Sequence, residues 1–224
     1  MKIIILAAGA GKRFRALNLP KPLTRLITGQ SILGLQIETL SRYVLIDQIF
    51  IVVGYHKEKV MDQFPDLTYV YNPAFSTENT SKSLLRALKK IDDDVLWMNG
   101  DVVFTPSVLE ALLNTKNTSM VVNEAPVGDE EVKYRTNKHG QILEVSKQVT
   151  QPQGEAVGIN FFTRHDLPAL KRNLEMCAPN DYFEKAIEMC IEESIPIQSV
   201  VIDSDSCTEV DFPEDLKRAN RILM

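Results

Sequence analysis

Residues 2–14 read Lys2-Ile3-Ile4-Ile5-Leu6-Ala7-Ala8-Gly9-Ala10-Gly11-Lys12-Arg13-Phe14, and a few residues later the chain continues Leu19-Pro20-Lys21-Pro22-Leu23. The short apolar run rich in isoleucine predicts a buried first strand. It passes directly into small residues and two glycines, then two adjacent cations. Backbone N–H groups exposed in such a loop, beside Lys12 and Arg13, suit a polyphosphate. Lys21 is a third cation, and the prolines on either side restrict its backbone. The stretch therefore predicts a polyanion site with a rigid lysine close by.

Two commoner phosphate loops do not fit. A Walker A loop ends Gly-Lys-Ser/Thr, whereas Gly11-Lys12 is followed by Arg13, which offers no hydroxyl to magnesium. The dinucleotide fingerprint Gly-x-Gly-x-x-Gly places its third glycine where Phe14 stands, and no acidic ribose partner follows at the expected strand end.

Outward from this stretch, strands and helices alternate. Ser31 is placed to cap a helix reaching about Tyr43. Gln48 to Val53 reads as a strand, Lys57 to Phe64 as a short helix stopped by Pro65, and Leu67 to Tyr71 as a third strand. Ser81 to Ile91 reads as a helix and Val95 to Met98 as a fourth strand. The alternation predicts an α/β fold, a mostly parallel sheet covered by helices, with ligands at the carboxyl ends of the strands.

After about Val122 the pattern turns more antiparallel. Val132 to Thr136 and Gln141 to Val145 flank a turn at His139, and Gly154 to Phe162 reads as another strand. Two helices follow, Asp166 to about Cys177 and Asp181 to about Glu192, the second with Asn180 as its expected cap. A last strand spans Ile197 to Ile202, and a final helix Pro213 to Leu223 carries proline in its first turn. No linker, internal repeat or hexapeptide β-helix array appears. We therefore expect one domain over 1–224, with a nucleotide-binding half to about 122 and an acceptor-binding half from about 123.

The 224 residues carry a net charge of −5, which argues against a general nucleic-acid binder. A local cluster of Lys12, Arg13 and Lys21 still suits an anionic ligand. No apolar run approaches the length of a membrane span, and the N-terminus reads as a first strand instead of a signal peptide. Cys177, Cys190 and Cys207 are odd in number and widely spaced, which fits a reducing cytoplasm and no zinc site. His56, His139 and His165 read as surface or turn residues.

Two carboxylates are candidates for a metal. Asp101 follows the fourth strand, and Asp211 precedes the final helix. Magnesium prefers a few carboxylates with phosphate oxygens and water, which two aspartates at the ends of different elements would supply. Each also has a plain structural reading: Asp101 as a turn residue, Asp211 as a helix cap.

Leu6 to Arg13 with Pro20 to Leu23 resembles the paired signature of nucleotidyltransferases on the GT-A-like fold, Leu-Ala-Ala-Gly-x-Gly-x-Arg and Pro-Lys-Pro-Leu. The resemblance implies a three-layer α/β/α, nucleotide-diphospho-sugar transferase-like architecture with a mostly parallel mixed sheet. It implies that Leu6, Ala7, Ala8, Gly9, Gly11, Lys12 and Arg13 hold the base and phosphates of a nucleoside triphosphate, with Asp101 and Asp211 on magnesium. Asn79-Thr80-Ser81-Lys82-Ser83-Leu84 is similar to the Asn-Asn-x-x-Ser-Leu segment of the phosphocholine- and aminoethylphosphonate-type cytidylyltransferases, Thr80 departing from the second asparagine. In that branch Ser83 meets the cytosine and Asn79 lies near the nucleotide or acceptor. The hairpin that carries Lys133 and ends at Ser146-Lys147, the strand at Gly154-Glu155, and Val210-Asp211-Phe212-Pro213 resemble the same group. For Lys133 and Lys147 a solvated strand face is the plain alternative.

The chemistry implied is attack of a phosphate or phosphonate oxygen on the α-phosphorus of CTP with loss of pyrophosphate. Both reactants are anions, so positioning and cationic stabilisation dominate. Lys12 and Arg13 are assigned to the β- and γ-phosphates, and Lys21, Arg13 and Lys147 to catalysis. Lys133, Glu155, Asp181, Tyr182 and Glu184 are the expected acceptor residues. Asp181-Tyr182-Phe183-Glu184 suits an ammonium held by cation–π and ion-pair contacts, or equally a helix start with acids at its positive end. The expected partners are CTP and a small phosphorylated acceptor, with no nucleic acid and no membrane, in an assembly that allows a homodimer. The alternatives are a sugar-1-phosphate nucleotidyltransferase and a non-catalytic nucleotide-binding regulatory subunit.

Overall fold

The computed structural model describes residues 1–11 and 19–224. The candidate residues Lys12 and Arg13 lie outside the described residues.

Strand β1 (Lys2–Ala7) is the axis of the main sheet. On one side it pairs in parallel with β2 (Ile49–Val53), which pairs in parallel with β3 (Thr68–Tyr71). Between these strands run α1 (Ile32–Leu40), capped by Ser31 Oγ accepting from the Gly34 N–H, and α2 (Lys57–Gln63), while α3 (Thr80–Leu88) follows β3. On its other side β1 pairs in parallel with β4 (Val95–Asn99).

The remaining elements widen the sheet. After β5 (Val102–Phe104) and α4 (Pro106–Asn114) comes β6 (Ser119–Asn123), then the hairpin β7 (Lys133–Thr136) and β8 (Ile142–Ser146). Strand β9 (Gly154–Phe162) runs antiparallel to β4, β6 and β7. Helices α5 (Leu167–Met176) and α6 (Phe183–Glu192) precede β10 (Gln198–Ile202), which lies parallel to β6; β11 (Cys207–Glu209) and α7 (Pro213–Ile222) close the chain. The main path is β10-β6-β9-β4-β1-β2-β3. This is the mostly parallel mixed sheet the alternation predicts.

Side chains of β1 show why helices cover both faces. Successive residues of a strand point to opposite sides. Ile4 and Leu6 join one core with Leu84 and Leu88 of α3, Leu170 of α5 and Ile187 of α6. Ile3 and Ile5 join the other with Leu33 of α1, Val60 of α2 and Leu109 of α4. Trp97 fills the first core, its ring 5.2 Å from Phe162 and 5.7 Å from Phe183, edge-on to the latter.

Sequence patterning did not call β5, α4, β6 or β11. Strands β5 and β11 have three residues each, too short for a period of two to emerge, yet they pair antiparallel. That ribbon matters for the site. It sets Glu209 opposite Val102, and the Val210 N–H donates to the Asp101 carbonyl at 3.0 Å. Two segments far apart in sequence are thereby held side by side.

Candidate active site

The register Leu6↔Asn99 ends β1 and β4 at one level. Their exit loops meet at Gly100, whose N–H donates to the Leu6 carbonyl. A Cβ on Gly100 would stand 2.9 Å from that carbonyl and 3.1 Å from Pro22 Cγ, so only glycine lets the three segments converge. Gly11, at φ +53°, packs on Lys21 in the same way. Lys21 itself opens a single 3₁₀ turn, Lys21–Leu23, held between its prolines.

The consequence is a charged centre. The Lys21 ammonium donates to Asp101 Oδ2 at 2.6 Å and to Asp211 Oδ1. Lys21 is 8% exposed. Burial alone would push its ammonium toward neutrality, but Asp101 first and Asp211 second outweigh this and hold it above the usual lysine range. Asp211 is not the cap of α7: the Asp211 and Phe212 N–H groups donate to the Asp215 carboxylate, which leaves Asp211 to the centre.

The donor set fits a hard divalent cation. Asp101 Oδ1 is buried without a hydrogen-bond partner, and the two carboxylates already converge on one positive charge. No cluster of three or more metal-binding side chains occurs among the described residues, so a metal here would complete its sphere with substrate oxygens and water.

Behind the aspartates stands a pair absent from the sequence reading. Asn99 Nδ2 donates to Glu209 Oε1 at 2.7 Å. Burial and the neighbouring Asp101 charge push the Glu209 carboxyl well up from its ordinary value. An Asn-Gly-Asp strand exit opposite Glu-Val-Asp was the available signal, but its meaning depends on the ribbon pairing.

Two cavities open on this centre. The larger, about 570 Å³, is lined by Leu6, Ala7, Gly9, Gly11, Lys21, Asn79 and Asp101 among others. The smaller, about 230 Å³, is lined by Lys147, Glu155, Asp215 and Arg218 among others. Asn99, Tyr182, Glu184, Glu209 and Asp211 line both. Most of the expected residues are thus gathered along one cleft.

Others are not. Ala8 is buried, its carbonyl accepting from the Tyr55 N–H. Ser83, expected at the cytosine, lines neither cavity: one turn into α3 it faces the core and accepts from Asn72 Nδ2 at 3.1 Å. Lys133 lines neither either; its ammonium donates to the Lys147 carbonyl. Asp181 closes its own turn by accepting from the Ala178 N–H, and α6 begins with Tyr182 as its cap residue in place of the expected Asn180. Lys147 pairs with Glu130 at 3.4 Å and stands 5.2 Å from the Tyr182 ring centre.

Two carboxyls that line the smaller cavity are buried. Burial pushes Glu155 up, opposed by a hydrogen bond from Asn123. Glu184 is pushed up to about 7 by burial, opposed by its backbone hydrogen bond and by Lys147, and its Oε2 has no partner. A raised carboxyl binds its proton more tightly in the folded state, so its stabilising contribution is complete below about pH 4.5 and is lost as pH rises to about 7. Glu184→Gln should therefore match wild type near pH 4.5 and exceed it by on the order of 3 kcal/mol at pH 8. Urea unfolding of both proteins across that range checks this; parallel curves would contradict it.

Comparison with known proteins matches residues 3–174 to the MobA-like NTP transferase domain family. The chain belongs to that family. It is of the nucleotidyltransferase type, and the resemblance read from the two opening motifs holds. A relative named bifunctional protein GlmU, from Methanococcus maripaludis, is 35% identical over 68% of this MobA-like chain and 37% of its own length. The chain thus spans little more than a third of that relative. The Haloferax volcanii UTP–glucose-1-phosphate uridylyltransferase AglF is 26% identical over 100% of the chain and 96% of its own length. The Streptomyces rubellomurinus CMP-5'-(3-aminopropyl)phosphonate synthase is 34% identical over 57% of the chain and 21% of its own length. In structure, the CTP:phosphocholine cytidylyltransferase from Streptococcus pneumoniae superposes with a TM-score of 0.81 at 20% identity, covering 100% of this chain and 99% of that one, and so shares its fold. Among the described residues no helix is long and apolar enough to cross a membrane.

Proposed function

We propose that this chain transfers CMP from CTP to a small phosphorylated alcohol or phosphonate and releases pyrophosphate. The observation that carries the reading is the Lys21–Asp101–Asp211 centre at the mouth of two adjoining cavities, one bounded by the glycine loop and the other by acidic residues with Lys147 and Arg218. The larger cavity suits the nucleoside triphosphate and the smaller the acceptor. The phosphonate-linked relative supports the cytidylyl branch.

In this reading an acceptor oxygen forms a bond to the α-phosphorus, the bond to the β-phosphate oxygen breaks, and its electron pair departs with pyrophosphate. The attacking oxygen is already ionised near neutral pH, so no general base is needed. Lys21 contributes a fixed ammonium where negative charge gathers, and Lys147 a second one from the acceptor wall. Lys12 and Arg13 bind the leaving phosphates. Asp101 and Asp211 would hold a magnesium ion, which when bound neutralises phosphate oxygens. Tyr182, Glu184 and Glu155 form the wall against an acceptor's cationic head. Buried free thiols at Cys177, Cys190 and Cys207 suit a reducing, cytoplasmic setting.

A second reading, transfer to a sugar 1-phosphate, draws on the Haloferax relative that matches along the whole chain. Turnover with all four ribonucleoside triphosphates against a panel of phosphorylated acceptors separates the two. CTP should be preferred, with phosphocholine or 2-aminoethylphosphonate as acceptor. A preference for UTP with a sugar 1-phosphate moves the assignment to sugar activation.

A further inference from the structure

The two sides of the cleft are joined where the start of α3 meets the start of α6. Helix α6 carries Tyr182 and Glu184, which line both cavities, yet no side chain of its own caps it. Its first N–H, that of Phe183, donates instead to Thr80 Oγ1 at 3.1 Å, from the first turn of α3. The residues around Thr80 repeat the connection. The Asn79 N–H donates to the Pro179 carbonyl at 2.8 Å, Asn79 Nδ2 donates to the Asn180 carbonyl at 3.2 Å, and Ser81 Oγ donates to the Asp181 carbonyl at 2.6 Å. The start of α3 thus holds the whole turn that leads into α6. Asn79 and Thr80 also line the larger cavity.

We propose that Thr80 is a positioning residue for the acceptor: by capping α6 it fixes Tyr182 and Glu184 against the smaller cavity. The inference rests on the assignment of that cavity to the acceptor. A helix N-terminus leaves its first N–H groups unpaired unless a side chain accepts from them, and that need is met here across two helices. Without the Thr80 hydroxyl, the first N–H of α6 loses its partner and the clasp one of its bonds, while the Lys21 centre keeps its own. The defect therefore falls on the wall that Tyr182 and Glu184 give the acceptor; because Thr80 also lines the larger cavity, the selective test is at Ser81, which lines neither.

Three variants test this. Thr80→Val keeps shape and removes the acceptor oxygen; Thr80→Ser keeps the oxygen; Ser81→Ala removes a second link of the same clasp. In steady-state kinetics with CTP and the preferred acceptor, Thr80→Val should raise the acceptor KM about tenfold, the loss that one hydrogen bond to a buried donor carries. In Ser81→Ala, whose side chain lines neither cavity, the acceptor KM should rise while the KM for CTP stays within about twofold, and Thr80→Ser should restore the acceptor KM. Should Thr80→Val not fold, Ser81→Ala must show the same selective rise. Equal rises in both KM values of Ser81→Ala, or no rise in the acceptor KM of either Thr80→Val or Ser81→Ala, would overturn the proposal. Hydrogen exchange of residues 178–186 supplies a readout independent of turnover: protection should fall in Thr80→Val and return in Thr80→Ser. Wild-type protein inactive with every triphosphate and acceptor would refute the functional assignment instead; unchanged exchange in Thr80→Val would then refute the clasp.

Discussion

Asp101→Asn and Asp211→Asn should each lower kcat by at least about 100-fold, because the charge stabilisation from a bound metal is worth several kcal/mol and each 1.36 kcal/mol is tenfold. Each change keeps side-chain size and removes one hard anionic oxygen. The fold should survive, since in either variant the Lys21 ammonium retains the other aspartate. The same variants should weaken Mn²⁺ binding read by electron paramagnetic resonance, which separates loss of the metal from loss of an acid. Full activity in either variant, or activity that persists in excess EDTA, would remove the two-aspartate site from the account.

Lys21→Ala should cost about 2–4 kcal/mol of transition-state stabilisation, the range for losing one preorganised electrostatic contact. The lysine is fixed by its prolines, by Gly11 packed on its side chain and by two carboxylates. In the proposed reaction its charge acts chiefly on the crowded α-phosphoryl centre, so kcat should fall far more than CTP affinity. Lys21→Arg should not restore the rate, because a planar guanidinium spreads its charge and cannot occupy the same point. Kinetics beside calorimetric CTP binding give both numbers. If CTP affinity alone falls, the lysine is a ground-state phosphate anchor.

The elements that local signals specify were legible. The continuous isoleucine run of β1, the Ser31 cap and Pro213 in the first turn of α7 each name their structure from a few neighbouring residues. Contacts made between segments were not. Strand β11 is recognisable only beside β5, and the Asn99–Glu209 pair exists only because of that ribbon. The cap of α6 comes from Thr80, about a hundred residues upstream, so local sequence pointed to Asn180 instead. Ser83 follows the same logic: its motif suggested a base contact, but its position in the helix turns it to Asn72 and the core. Lys21, Asp101 and Asp211 were named separately from strand-exit and proline-loop signals; their meeting at one point is a product of the register between β1 and β4 and of the Val210–Asp101 backbone bond.

The most direct measurement is the fate of the CTP phosphates in the presence of phosphocholine or 2-aminoethylphosphonate and Mg²⁺. Label at the α-phosphorus should enter a CMP–acceptor product, and label at the γ-phosphorus should leave as pyrophosphate. Release of γ-label as inorganic phosphate, or α-label that stays in unreacted CTP with every phosphorylated acceptor, would contradict it.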